Sequence, residues 1–259
     1  AMEAVSGDGK TYAVYCRWPN GDIAQPCVWT WHDVFSGRVL SYRADQTENK
    51  DMYRLAFGDL LEDYGIPREA YIDNTRAAAN KWMTGGIKTR YRWKLRDDDP
   101  LGIMPQVGVQ VHFCRPEHGQ SKPVERAFKD LQELIEKHPA YKGRGLKSRP
   151  IPLEEWLEIL ASETAIHNEQ MGRRSPVCQG RSFDQVFAES YTANQHNIPR
   201  PTPQQRNLWL LCAEKIHADK TTGAVTLGKG PKGANLYWHP ELTNYRGRYL
   251  VVRFDPQHQ

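Results

Sequence analysis

The sequence holds no run of about 18 apolar residues, and its first residues lack a basic-then-apolar pattern, so neither a membrane-spanning helix nor a secretory leader is expected. Cysteine is scarce. Its five residues, Cys16, Cys27, Cys114, Cys178 and Cys212, are odd in number and widely spaced, with no C-x-x-C pair and no histidine pair close by. That pattern argues against a disulfide framework and a zinc site, and it leaves reduced core thiols of a cytosolic protein as the reading. Net charge is also small, +4 over 259 residues, but it is unevenly spread. From Arg200 onward there are 9 Lys/Arg against 4 Asp/Glu, whereas the first 199 residues hold 26 against 27. A basic tail on a neutral body suits a polyanionic partner, and it suits an ordinary solvated surface nearly as well. The opening Ala-Met reads as a cloning remnant, so the chain is expected to be a fragment of a longer protein.

What is present is a clear alternation of strand and helix signals. Lys10 to Trp18 alternates like a strand, "NGD" turns it into the apolar Cys27–Trp31, and "SGR" leads on to "VLSYRA", which together read as three antiparallel strands. A helix follows through Met52, Leu55, Ala56 and Leu60, with Thr47 as a cap and Gly65 and Pro67 as stop signals. "AYID" is a short strand ending at Asp73, "NTRAAANKW" looks helical, and "VGVQVHF" is a further strand. Helices are then expected from Pro123, from Leu153, and after a Ser182 cap. Beyond the proline-rich "IPRPTPQQ" the pattern changes to short strands, "LWLLCAE", "GAVTLG", "NLYWH" and "RYLVVRF". The expected organisation is therefore an α/β domain over residues 1–198 and a small all-β barrel over 204–259.

Three carboxylates occur at separated points of the α/β part: Asp8 at the start of the first strand, Asp73 at the end of the fourth, and Glu125 at the head of a helix. Each has a plain alternative. "GDG" is commonly a turn, Asp before Asn-Thr is a common cap, and a glutamate in a first helical turn complements the helix dipole. Converging at one sheet edge, however, three carboxylates suit two divalent cations and phosphodiester displacement, chemistry that takes oxygen ligands rather than His or Cys. Asp97, Asp98 and Asp99 read as a solvated loop and rank below the triad, as do Asp33 and Asp45.

"SGDGK", "YIDNTRAAANKWMTGG" and "KPVERAFKDL" resemble the three acidic motifs of the bacteriophage Mu transposase family, a group of retroviral-integrase-like DDE recombinases. The resemblance extends through "RWPNGD", "WTWHDV", "AFGDLLEDYGIP", "YRWKLRDDDP", "SFDQVF", "KGANLYW" and "VVRFDPQ", nearly the whole chain. It implies an RNase H-like mixed sheet with flanking helices followed by a β-barrel, with Asp8, Asp73 and Glu125 as catalytic residues holding two Mg²⁺ or Mn²⁺ ions. It implies nicking and strand transfer on double-stranded DNA, in the cytoplasm of a bacterial or phage-infected cell, by a multimer that is tetrameric in the intact protein. End-recognition domains, and the regions contacting a target-delivery ATPase and an unfoldase, are expected outside this fragment.

Several basic residues become candidates for DNA contact. Lys88, Arg90, Arg92 and Lys94 occupy alternate positions with Tyr91 and Trp93 between them, which suits phosphates on one face and also suits a charge-guarded edge strand. Lys122, Arg126 and Lys129 recur at helical spacing beside Glu125, while Arg173, Arg174, Lys229 and Lys232 have similar claims. Two other readings stay open: an RNase H-like nuclease without strand transfer, and a catalytically silent DNA-binding prophage remnant.

Overall fold

A computed structural model describes residues 1–73, 78–89, 93–95, 101–114, 125–230 and 233–255; for 125–129, 229, 230 and 233 it describes the backbone alone. The chain divides into two compact units, Ala1–Pro201 and Thr202–Gln259.

Two glycines decide where the first strand of unit one lies. Strand β1 spans Ala4–Thr11, and the next strands are β2 (Cys16–Arg17), β3 (Ile23–Ala24), β4 (Cys27–Asp33) and β5 (Val39–Asp45). A Cβ on Gly7 would stand 2.5 Å from Cζ2 of Trp29 and 2.7 Å from Cζ3 of Trp31, so the two indoles pack directly on bare backbone. "SGDGK" is therefore strand interior rather than a turn, and Asp8 is the fifth residue of β1, not its first. The expected strand from Lys10 to Trp18 is corrected accordingly: β1 ends at Thr11, and only Cys16–Arg17 of the remainder is extended in a ladder.

Helix α1 (Lys50–Tyr64) covers the Trp face of the sheet. Its Tyr53 ring lies 4.0 Å from that of Trp29, and Phe57 lies 5.3 Å from Trp31. Met52, Ala56, Leu60 and Leu61 are buried beside them, and each large side chain removed from water contributes about 1.5–3 kcal/mol. The cap is Asn49, which accepts hydrogen bonds from Asp51 N and Met52 N, rather than Thr47. Asn49 wins because its own amide is anchored on Asp45 Oδ2 at 2.6 Å, tying the helix start to the end of β5.

Strands β6 (Glu69–Asp73) and β7 (Gln110–Cys114) complete a mixed sheet of order β5-β4-β1-β6-β7, in which β4 alone runs against the other four. Between them lie α2 (Lys81–Thr84), shorter than the helix expected over "NTRAAANKW", whose residues 74–77 fall outside the described residues, and α3 (Ile103–Gln106). α3 delays β7 until Gln110, because Gly108, at φ +83°, turns the chain between them. Then follow α4 (Glu125–Glu136), β8 (Ile151–Pro152), α5 (Leu153–Glu169) and α6 (Phe183–Asn194), whose Ser182 and Gln185 form a reciprocal capping box. β8 joins β2 and β3 in a small second sheet. On the sheet face opposite α1, Val28 and Tyr12 pack with Leu131 and Ile135 of α4 and with Trp156 and Leu160 of α5. This α/β arrangement is RNase H-like.

Unit two is strand-rich, but among the described residues no closed barrel forms. β9 (Cys212–His217) pairs antiparallel with β12 (Tyr249–Phe254), and β10 (Val225–Gly230) pairs antiparallel with β11 (Gly233–Tyr237), as two separate ladders. The barrel expectation also counted "LWLL" as strand, whereas α7 (Pro203–Leu210) takes it up. The reason lies just upstream: Thr202 and Gln205 form a capping box with Pro203 at the first helical position, and buried Trp209 anchors the helix. No helix among the described residues is long and apolar enough to cross a membrane.

Candidate functional site

β1 and β6 run parallel, with Val5 opposite Ala70, Ser6 opposite Tyr71 and Gly7 opposite Ile72. One step beyond these pairs come Asp8 and Asp73. Residues in matched register on parallel neighbours project from the same face, with the strands about 4.8 Å apart. Asp8 is also opposite Thr30 of β4, and its Oδ1 accepts a hydrogen bond from Gly9 N at 3.0 Å. Both carboxylates are half-buried. Strand alternation puts Gly7 and Gly9 toward α1 and Asp8 toward the opposite face, the side on which α4 and α5 pack through Val28.

The same face of β6 and β7 carries a polar strip leading to Asp73. Tyr71 stacks on His112 with ring centroids 4.7 Å apart, its hydroxyl donates to Glu69 Oε2 at 2.9 Å, and His112 Nε2 lies 3.3 Å from that oxygen. The hydrogen bond to Glu69 raises the Tyr71 pKa, so the phenol stays protonated and serves as a donor. In sequence His112 adjoins no candidate carboxylate and reads as structural or solvent-facing; the parallel register of β6 and β7 brings it to the strip.

α4 is held at several points. Leu131 and Ile135 are buried, and Glu136 Oε1 accepts a hydrogen bond from Ala13 N, just past the end of β1, at 3.1 Å. His138, following the helix, lies 3.6 Å from Glu163 of α5. Midway along α4, Asp130 shares a groove with Gln170 and Arg173, which follow α5, whereas His138 past the end of α4 meets Glu163 within α5, so the two helices run antiparallel. α5 is pinned in turn by Asn168, whose amide donates to Val39 O and accepts from Val39 N, both at 3.0 Å. Glu125 is the first residue of α4, and its side chain lies outside the described set. Among the described residues no three His, Cys, Asp or Glu side chains converge as a metal-binding group.

The basic candidates separate. Lys88, Lys94 and Arg174 are exposed, with Lys94 Nζ 4.6 Å from the ring of Trp93, itself 69% exposed. Arg173 is instead tied inward: its guanidinium meets His167 Nδ1 at 3.2 Å, donates to the His167 carbonyl and sits 4.2 Å over Phe183. Arg90, Arg92, Lys122 and Lys232 lie outside the described residues, and for Arg126, Lys129 and Lys229 only the backbone is described. Asp33 and Asp45 have structural partners, Asp33 accepting from Met2 N, Ser36 N and Ser36 Oγ at 2.7–2.8 Å and Asp45 from Gln46 N and Asn49 at 2.6 Å.

Comparison with known proteins gives one consistent direction. The chain is 33% identical to the Mu-like prophage FluMu transposase A of Haemophilus influenzae, over 99% of its own length and 40% of that relative's, so it spans about two fifths of the relative. Among solved structures it is similar to the HTLV-2 integrase catalytic core domain in complex with magnesium in its trimeric form (TM-score 0.46, 17% identity, 71% of this chain and 95% of that one). It is also similar to a simian T-cell lymphotropic virus intasome in complex with the PP2A regulatory subunit B56 gamma (TM-score 0.49, 13% identity, 98% and 80%). The family model described as Bacteriophage Mu transposase matches residues 1–192, and that described as Mu transposase, C-terminal, matches 207–258. Matched over most of its length in this order, the chain belongs to the bacteriophage Mu transposase family.

Proposed function

We propose that this chain is the catalytic core of a DDE transposase that nicks DNA to free 3′-hydroxyl ends and joins those ends to target DNA. Asp8, Asp73 and Glu125 are its catalytic residues. The observation that carries the reading is the juxtaposition of Asp8 and Asp73 in matched register, on the sheet face against which α4 packs.

The direction of α4 supports including Glu125. α5 runs from beside Cys16, past the end of β1, back to Val39, whose ladder partner His32 pairs with Ser6 of β1. α5 therefore opposes β1, and α4, antiparallel to α5, runs along with it. From their shared contact at Ala13 and Glu136, Asp8 lies five residues back, through the end of β1, and Glu125 eleven residues back along a helix, about 16 Å. This shared direction supports including Glu125, at the head of α4, with the two aspartates.

Carboxylate oxygens are the donors that hard divalent cations prefer, so the three side chains fit two Mg²⁺ or Mn²⁺ ions. Bound there, the ions supply Lewis-acid stabilisation for an in-line displacement. The chain's own contribution is position. The glycine-on-indole packing of β1 and the Asn168 lock on α5 make the platform rigid, so the carboxylates cannot move apart to relieve their mutual repulsion. Exposed Lys88, Lys94 and Arg174 are available for DNA phosphates, and unit two adds nonspecific phosphate contacts through Lys229 and Lys232. In the intact protein we assign work on paired DNA ends to a tetramer, with ATPase and unfoldase contacts carried by other segments.

Thermal melting with and without excess Mg²⁺ tests the metal site. Saturating Mg²⁺ at about 100 times its dissociation constant is expected to add about 2.7 kcal/mol to stability, and Asp73→Asn is expected to abolish most of that gain. Superimposable melting curves for the unmodified chain would overturn the site.

A further inference from the structure

The outer face of the β9–β12 ladder carries an aromatic that the fold of unit two does not use. Tyr249 is 62% exposed and Val251 39%, on the same side of β12, with His217 and Lys215 opposite them on β9. The tyrosine is held rather than loose. The His217 ring meets it edge-on at 5.1 Å and 80°, and Lys215 Nζ lies 5.2 Å from its centroid. These contacts hold the ring, most of whose surface stays open to solvent.

Cations outnumber carboxylates around this end of the ladder. Lys220, Arg246 and Arg248 are all exposed there, and backbone hydrogen bonds from Ala218 N to Arg248 O and from Gly247 N to Ala218 O draw their segments together. Of the acidic residues nearby, Glu241 is exposed beside His239, and Asp219 is engaged by Thr221 N, Thr222 N and Thr222 Oγ1 at 2.7–2.9 Å within its own turn. Those bonds hold its pKa below the ordinary carboxylate range. A braced, exposed ring within a rim of cations has the two elements of a single-strand nucleic-acid site, a π-face for a base and charges for the flanking phosphates. On this face of the ladder, among the described residues, Val251 is the exposed aliphatic side chain beside Tyr249.

We propose that Tyr249 is a stacking platform for an unpaired nucleobase, with Lys215, Lys220 and Arg246 receiving the adjacent phosphates. This rests on the DNA-processing reading for the kind of nucleic acid, and it adds a contact that distinguishes unpaired from paired strands. Stacking tolerates any base, so the site selects strand state rather than sequence.

The test uses the whole chain without divalent metal and two duplexes that are identical except for a short 3′ overhang, thymines in one and abasic sites in the other. Phosphate charge is then the same in both. Fluorescence anisotropy is expected to show about 5- to 100-fold tighter binding of the thymine overhang. Tyr249→Ala is expected to erase the preference and Tyr249→Phe to keep it. Lys215→Gln is expected to weaken both duplexes alike and to lower the slope of log affinity against log salt by about one. Equal binding of the two overhangs would overturn the proposal, as would an unchanged preference in Tyr249→Ala. A Tyr249→Ala effect on self-association instead of on binding would assign the face to a second copy of the chain and overturn it too. Because the assay needs neither metal nor the carboxylates, it fails or succeeds separately from the active-site reading: Asp8→Asn with Asp73→Asn is expected to leave the overhang preference intact.

Discussion

Two histidines buried between the sheet and α5 should make the fold acid-labile. His32 and His167 are both 0% exposed. Burial, reinforced by the proximity of His167, pushes the His32 pKa down to about 3. Burial and the Arg173 guanidinium push His167 down to about 4. Both folded values lie below the unfolded value of 6.5, so below that pH the unfolded chain binds more protons than the folded one. Stability is therefore complete above about pH 6.5 and erodes as pH falls toward the folded values. At pH 5, linkage gives a loss of about 2 kcal/mol per imidazole and about 4 kcal/mol together, relative to pH 8. Urea unfolding at pH 8, 6 and 5 would measure it. Replacing one imidazole by a group that does not titrate, as in His32→Gln, should lower stability at pH 8 but remove about half of the pH slope. A flat stability between pH 8 and 5 would refute the reasoning, and so would an undiminished slope in His32→Gln.

Two further predictions concern the platform of the site. Gly7→Ala would drive a methyl into the Trp29 and Trp31 rings, and overpacking of this kind is expected to cost about 1–3 kcal/mol, read as a lower midpoint in urea with an unchanged slope. A neutral result would mean that the indoles can retreat and that β1 is not held as described. Asn168→Ala removes both hydrogen bonds to Val39 and leaves a buried N–H and C=O unpaired, for which about 2–4 kcal/mol is expected in the same assay. A loss below 1 kcal/mol would show that water or a neighbour replaces the amide.

The long helices were legible because their signals are local: the α5 stripe and the Ser182 capping box lie within a few residues of what they specify. The first strand was misread for the opposite reason. Gly7 and Gly9 look like turn residues along the chain, and what makes them strand residues is a pair of indoles some twenty positions away. The α7 capping box was legible in "TPQQ" and was passed over because the following "LWLL" matched the strand pattern of the segments around it. Of the site, residue types and motifs could be read directly, but the matched register of Asp8 and Asp73 follows from a parallel pairing that no single segment encodes. The same applies to the Tyr71, His112 and Glu69 strip beside them.

The central claim is that Asp8, Asp73 and Glu125 form one metal-dependent strand-transfer site. The most direct test is joining of a precleaved 3′-hydroxyl DNA end to target DNA in Mn²⁺, with the chain carried in the full-length protein, comparing the unmodified sequence with Asp8→Asn, Asp73→Asn and Glu125→Gln. The account predicts joining by the unmodified protein and a loss of at least about a hundredfold in each variant, with binding of the DNA end unchanged. Joining by the Glu125→Gln protein at the unmodified rate would contradict it.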